Sequence, residues 1–284
     1  MSDDHVYLAL AEEHEGADTR WAFGTGFEDP LHGVDTQVPP GVDSAALGRT
    51  CTALGDDALI SAQRLAEWCT RAPELEDEVA LANIGLDLLG QARLLYARAG
   101  QVDGTGRGED EFAYLRDAHE FRNLRLAELP NGDFAVSIAR LLVFSTWRLA
   151  LFTQLAASPD PVLSAVAAKA VKETTYHLRY AADWTVRLGD GTELSALKMR
   201  LGLERAAAFI DEVCEGGAIP GVDTAALRVA IIAQLRHVCD AATLAYPTPA
   251  QDARRGRDGE HTEYLAPLIE ELQSLARALP GAVW

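Results

Sequence analysis

From Asp43 onward apolar residues return at helical spacing, and nowhere does a period-two alternation persist. The stripe Leu47, Cys51, Leu54, Ala58, Leu65 and Trp68 predicts a helix over about 44–71, capped by Asp43 or Ser44, with Gly55 a weak point inside it. Ala72-Pro73 ends it, because proline lacks an N–H and pushes its predecessor out of helical geometry. Glu74, Glu76, Asp77 and Glu78 suit the positive end of a second helix running to about 99. Pro130-Asn131-Gly132 is a turn, and Asp133 then caps a helix to about 157. Ser158-Pro159-Asp160-Pro161 packs a stop, a cap and a first-turn proline ahead of a helix over 161–188. A short helix at 109–117 and later ones at about 193–214, 224–245 and 261–279 complete an all-α reading.

The four long helices arrive as two hairpins joined by a longer connection. That order predicts a ferritin-like four-helix bundle with one crossover and additional C-terminal helices, a single domain over 43–284. Residues 1–42 are rich in Gly, Pro and Asp and read as an irregular N-terminal strap, held by Trp21, Phe23 and Phe27, or as a partner-contacting arm. Gln101–Gly108 holds three glycines without the strand-turn-helix context of a phosphate cradle, and reads as a flexible loop.

The second and fourth long helices carry the candidate chemistry. In ferritin-like metal bundles two helices each present Glu-x-x-His inward and the other two each add a Glu. Here the acids stand at Asp87 and Glu173, but three residues on stand Gly90 and Tyr176. The first helix offers Glu67, and the third offers only Ser145 and Thr146, whose neutral hydroxyls are poor iron ligands. Asp87 corresponds to Glu173 and Gln91 to His177, the relation a pseudo-two-fold bundle produces. His177 shares a face with Glu173. The pair reads either as a relic that holds one metal weakly or, more commonly for a buried histidine, as a hydrogen-bonded pair linked to Gln91 or Arg93. Buried carboxylates need a cation in place of iron, and Lys172 is the neighbour expected to supply it. The expectation is a degenerate di-iron site with no catalytic residue and no metal.

Charge narrows the partners. With 25 Lys and Arg against 43 Asp and Glu, the net charge is −18, which disfavours nucleic acid and anionic membranes. The sequence reading finds no apolar stretch long and charge-free enough to span a bilayer. Cys51, Cys69, Cys214 and Cys239 stand far apart and read as idle thiols of a cytoplasmic protein. Arg254, Arg255 and Arg257 form one basic cluster, read as a solvated loop rather than a site for CoA phosphates or an acidic partner.

Five segments carry a resemblance: LGDDALISAQRLAEWC (54–69), APELEDEVALANIGLDLLGQARLL (72–95), FRNLRLAELPNGDFAVSIAR (121–140), KETTYHLRYAADWTVRLGDGTE (172–193) and HTEYLAPLIEELQSLARALPG (261–281). In this order they resemble the PaaC-type subunit of the bacterial phenylacetyl-CoA epoxidase complex over roughly 44–284. The resemblance implies a non-catalytic subunit that pairs with and stabilises a catalytic ferritin-like sister. In such a complex the sister holds the di-iron centre and epoxidises the ring of phenylacetyl-CoA. A reductase brings electrons from NADPH, and a small accessory subunit is present beside them. It implies no cofactor in this chain. Two other readings compete: an autonomous di-iron oxygenase or ferroxidase using Glu67, Asp87, Glu173 and His177, and a helical module binding acyl-CoA without a partner.

Overall fold

Five helix starts are fixed by side chains that satisfy the unpaired N–H groups of a first turn. Asp43 accepts from the amides of Ala45 and Ala46 at 2.9 and 3.1 Å and opens α1 (Ser44–Ala66). α2 (Leu75–Val102) begins without a side-chain cap but carries Glu76, Asp77 and Glu78 in its first turn. After α3 (Glu109–Tyr114) and α4 (Arg125–Glu128), Asp133 caps α5 (Phe134–Leu155). Asp160 caps α6 (Pro161–Gly189), with Pro161 at its first position. Thr192 caps α7 (Glu193–Ala207), α8 (Ile210–Glu215) follows, Asp223 caps α9 (Thr224–Ala241), and α10 (Leu265–Ala278) closes the chain.

The computed structural model describes residues 31, 33–215, 219–249, 252–280 and 282. The expectations for Trp21, Phe23 and Phe27 lie outside them. Those from Gly33 onward belong to one compact unit. Ten α-helices and no strand occur among the described residues, an all-α ferritin-like bundle as read from the sequence. α1 pairs with α2 and α5 with α6, while α2 meets α6 across the middle; α7 and α9 cover α5. Leu54, Ile60, Ile84, Leu88, Leu142, Trp147 and Phe152 fill the core.

By length and composition alone α5 is apolar enough to cross a membrane, contrary to the sequence reading; 78% of that stretch is buried inside the fold, as suits the core helix of a bundle.

Where helix ends depart from the sequence reading, tertiary contacts set them. α1 stops at Ala66 instead of 71, because Trp68 turns to donate its indole N–H to Ser137 Oγ (3.0 Å) and meets Phe134 edge-on. Thr70 takes the left-handed conformation that completes the turn. The helix expected over 193–214 breaks after Ala207. Phe209 there lies under the Arg125 guanidinium, 5.3 Å from its ring centre, and α8 carries Glu212 toward Arg125 and Gly256. α10 starts four residues late because His261 and Thr262 are bound to Glu128. Gly55 is no weak point: a Cβ there would lie 2.6 Å from the Tyr96 ring, so the glycine admits that ring against α1. The 101–108 loop is closed by hydrogen bonds, with Thr105 donating twice to Asp103 Oδ1 and Gly106 N–H to Gly100 O.

Candidate functional site

Positions four apart on a helix share a face, so Asp87 and Gln91 on α2 stand together, as do Glu173 and His177 on α6. Where the helices meet, the pairs exchange partners. His177 Nε2 lies 2.9 Å from Asp87 Oδ2, and Gln91 Nε2 donates to Glu173 Oε2 at 2.8 Å. Each helix supplies an acid and the polar group that receives the other helix's acid, which is the pseudo-two-fold relation read from the sequence. Gln91 and His177 are buried, whereas the Asp87 side chain lies at the rim.

The third member is Arg148 of α5, fully buried. Its Nε donates to Gln91 Oε1 at 2.8 Å, and its guanidinium lies 4.5 Å over the Phe152 ring and 3.4 Å from the Leu54 carbonyl. Burial lowers its pKa to about 10, while Asp57 and Glu173 pull it upward, so it stays charged at neutral pH. Lys169 of α6 makes an ion pair with Glu173 from the other side. Lys172, the expected cation, is exposed; the spacing that meets Glu173 is four, so Lys169 has the geometry that its neighbour in sequence lacks.

The remaining candidates lie elsewhere. Glu67 ends α1 and is taken by Arg64 (2.7 Å) and Asn131 (3.0 Å). Ser145 is buried with its hydroxyl unbonded, like Thr146 and Thr174. Tyr176 is half exposed, and a Cβ at Gly90 would meet nothing within 4 Å. Among the described residues no group of three or more His, Cys, Asp or Glu side chains is placed to hold a metal ion. These residues do not fit a di-iron pair: two carboxylates and one imidazole converge, each already hydrogen-bonded, and a buried guanidinium bonds Gln91 beside them.

A second buried network escapes sequence reading. Asp57 of α1 accepts from the Leu124 amide (2.7 Å) and pairs with Arg257 at 2.6 Å; burial pushes its pKa up while the guanidinium pulls it back. Beside it Asp56 takes the Tyr96 hydroxyl (2.7 Å), the Arg122 amide (2.8 Å) and an ion pair with Arg116. Glu128 binds His261 (2.6 Å), Asn123 and Thr262. The basic cluster is therefore not a solvated loop. Arg257 is largely covered on Asp57 and Arg255 pairs with Glu215, leaving Arg254 exposed on Asp252. A Cβ at Gly256 would lie 2.0 Å from the Asn123 carbonyl, so the loop approaches as only glycine permits. The available signal was two consecutive acids, Asp56-Asp57, in the middle of an apolar helix. Cys51, Cys214 and Cys239 are buried, their thiols pushed up to about 12, 11 and 11 chiefly by burial, and Cys69 is exposed.

Bundle, cross-paired centre and arginine define a ferritin-like helical protein whose interior is closed by its own side chains. Residues 32–284 match the family described as Phenylacetic acid catabolic protein, and the chain belongs to that family. A relative from Escherichia coli (strain K12), one of the subunits of 1,2-phenylacetyl-CoA epoxidase, is 45% identical over 239 residues, covering 81% of this chain and 96% of the relative.

Proposed function

We propose that this chain is the non-catalytic subunit of a multicomponent oxygenase acting on the ring of phenylacetyl-CoA, where it pairs with and stabilises a catalytic ferritin-like subunit. The observation that carries this reading is Arg148. A buried, charged guanidinium joined to Gln91 leaves the bundle centre neutralised and hydrogen-bonded without iron. The similarity to a subunit of an epoxidase for phenylacetyl-CoA supports the assignment of substrate and complex. On this reading the di-iron centre belongs to the partner, a reductase supplies electrons from NADPH, the assembly includes a small accessory subunit, and the complex works in the cytoplasm. Stabilisation follows from mass action, since binding to a folded partner opposes that partner's unfolding.

The test is co-expression with the catalytic subunit. Iron and oxygenase activity are then measured for each chain alone and for the pair. Near-equal co-purification is expected, with iron confined to the partner and a higher unfolding midpoint for the partner in the pair. About two iron atoms bound to this chain alone would instead establish an autonomous di-iron protein.

A further inference from the structure

The inner face of α2 is fully used, but its outer face is not. Leu75, Val79, Ala82, Leu86 and Leu89 follow one another at spacings of four, three, four and three, the repeat of a coiled-coil seam. A seam of this kind normally disappears into a neighbouring helix. Here Leu75 is 71% exposed, Val79 52%, Leu86 65% and Leu89 39%. Gly90, beside the last of them, sits mid-helix, where glycine is the least favourable residue after proline. Nothing among the described residues asks for it: its φ is ordinary, and a Cβ would meet none of their atoms within 4 Å. By contrast Gly100 of the same helix is required internally, since a Cβ there would lie 1.9 Å from the Arg107 carbonyl. At the same level on α6, beside the His177 that reaches Asp87, Tyr176 is also exposed.

We infer that this outer face of α2 is a docking seam for one helix of a different polypeptide. That helix carries its own apolar four-three repeat, a large side chain that seats over Gly90, and Lys or Arg residues facing Glu76 and Glu78. The two glutamates flank the seam at its N-terminal end and make no ion pair among the described residues, so a basic flank complements them. The same charges disfavour a second copy, because two chains of −18 would have to meet there. The chain's own first 30 residues, with eight acids and one arginine, do not offer that complementary charge. The inference rests on the proposed pairing with a ferritin-like subunit and identifies the surface that makes it.

The test measures the dissociation constant between full-length chain and the catalytic subunit. Leu86→Lys is expected to weaken binding at least about tenfold while the free chain keeps its helical signal and unfolding midpoint. Gly90→Leu should weaken binding similarly yet raise the free chain's midpoint by ~2 °C, because a helix-favouring residue replaces glycine in open space. Leu197→Lys, on the exposed face of α7, should bind as the unchanged chain does. If the unchanged chain binds and Leu86→Lys and Gly90→Leu bind equally well, the seam is overturned while the proposed function stands. If the unchanged chain fails to bind the subunit, the proposed function falls and the seam with it. If light scattering finds the chain alone to be a dimer that Leu86→Lys dissociates, the occupant is a second copy and the inference is wrong.

Discussion

The two buried polar networks solve the same problem differently. At the bundle centre, side chains answer side chains: Asp87 meets His177, Glu173 meets Gln91 and Lys169, and Arg148 joins them. Around Asp56, Asp57, Glu128 and Glu212, carboxylates mostly fasten backbone, gripping the amides of Arg122, Leu124, Thr262 and Gly256. The first arrangement can lose a member and regroup around Glu173, which has both Gln91 and Lys169 within reach. The second cannot, since an amide held by a single carboxylate has nowhere else to go. Burial of charge is thus no guide to importance; what the charge holds decides it.

Breaking the peripheral network should have the largest effect. Asp57→Ala leaves the largely covered Arg257 without its carboxylate and the Leu124 amide unpaired, and should cost about 3–5 kcal/mol in urea-unfolding free energy. A loss below about 1 kcal/mol would mean that water replaces the carboxylate and that the two networks do not differ in this way.

Glu212 gives the next effect, through pH. Burial outweighs its two amide donors and pushes its pKa from 4.5 up to about 7. An acid raised on folding binds its proton more tightly in the native state. Stability from this group is therefore full below pH 4.5 and declines as pH rises toward about 7, by about 3 kcal/mol in all. Unfolding free energies across that window should fall in the unchanged chain relative to Glu212→Gln, which lacks the titration. Parallel curves would show that Glu212 does not titrate there.

Substitution at the centre should have the smallest effect. Arg148→Met removes the guanidinium from over Phe152 but keeps an unbranched apolar chain in its place, and Glu173 retains Lys169 and Gln91, so a loss of only ~1–2 kcal/mol is expected. If Arg148→Met proves as damaging as Asp57→Ala, the central network has no slack.

Much of the fold was legible because its signals are local. Asp43, Asp133 and Asp160-Pro161 cap helices with groups two or three residues away, and those starts agree with the structure. The ends at Trp68, Phe209 and His261 were not legible, since each is decided by a contact from a distant segment. At the site, spacing alone placed Asp87, Gln91, Glu173 and His177 together, but as hydrogen-bonded pairs whose partners cross between helices. Arg148 went unseen because a metal-ligand pattern has no place for arginine. Arg257 looked solvated because its partner Asp57 is 200 residues earlier.

That separation also bears on how the chain is made. Synthesis delivers Asp57 early and Arg257 almost last. Until residue 257 emerges, the first helix carries a carboxylate whose bundle position buries it without its direct ion-pair partner. Asp57 therefore waits for its guanidinium partner through most of translation, and the C-terminal loop supplies the last member of this network.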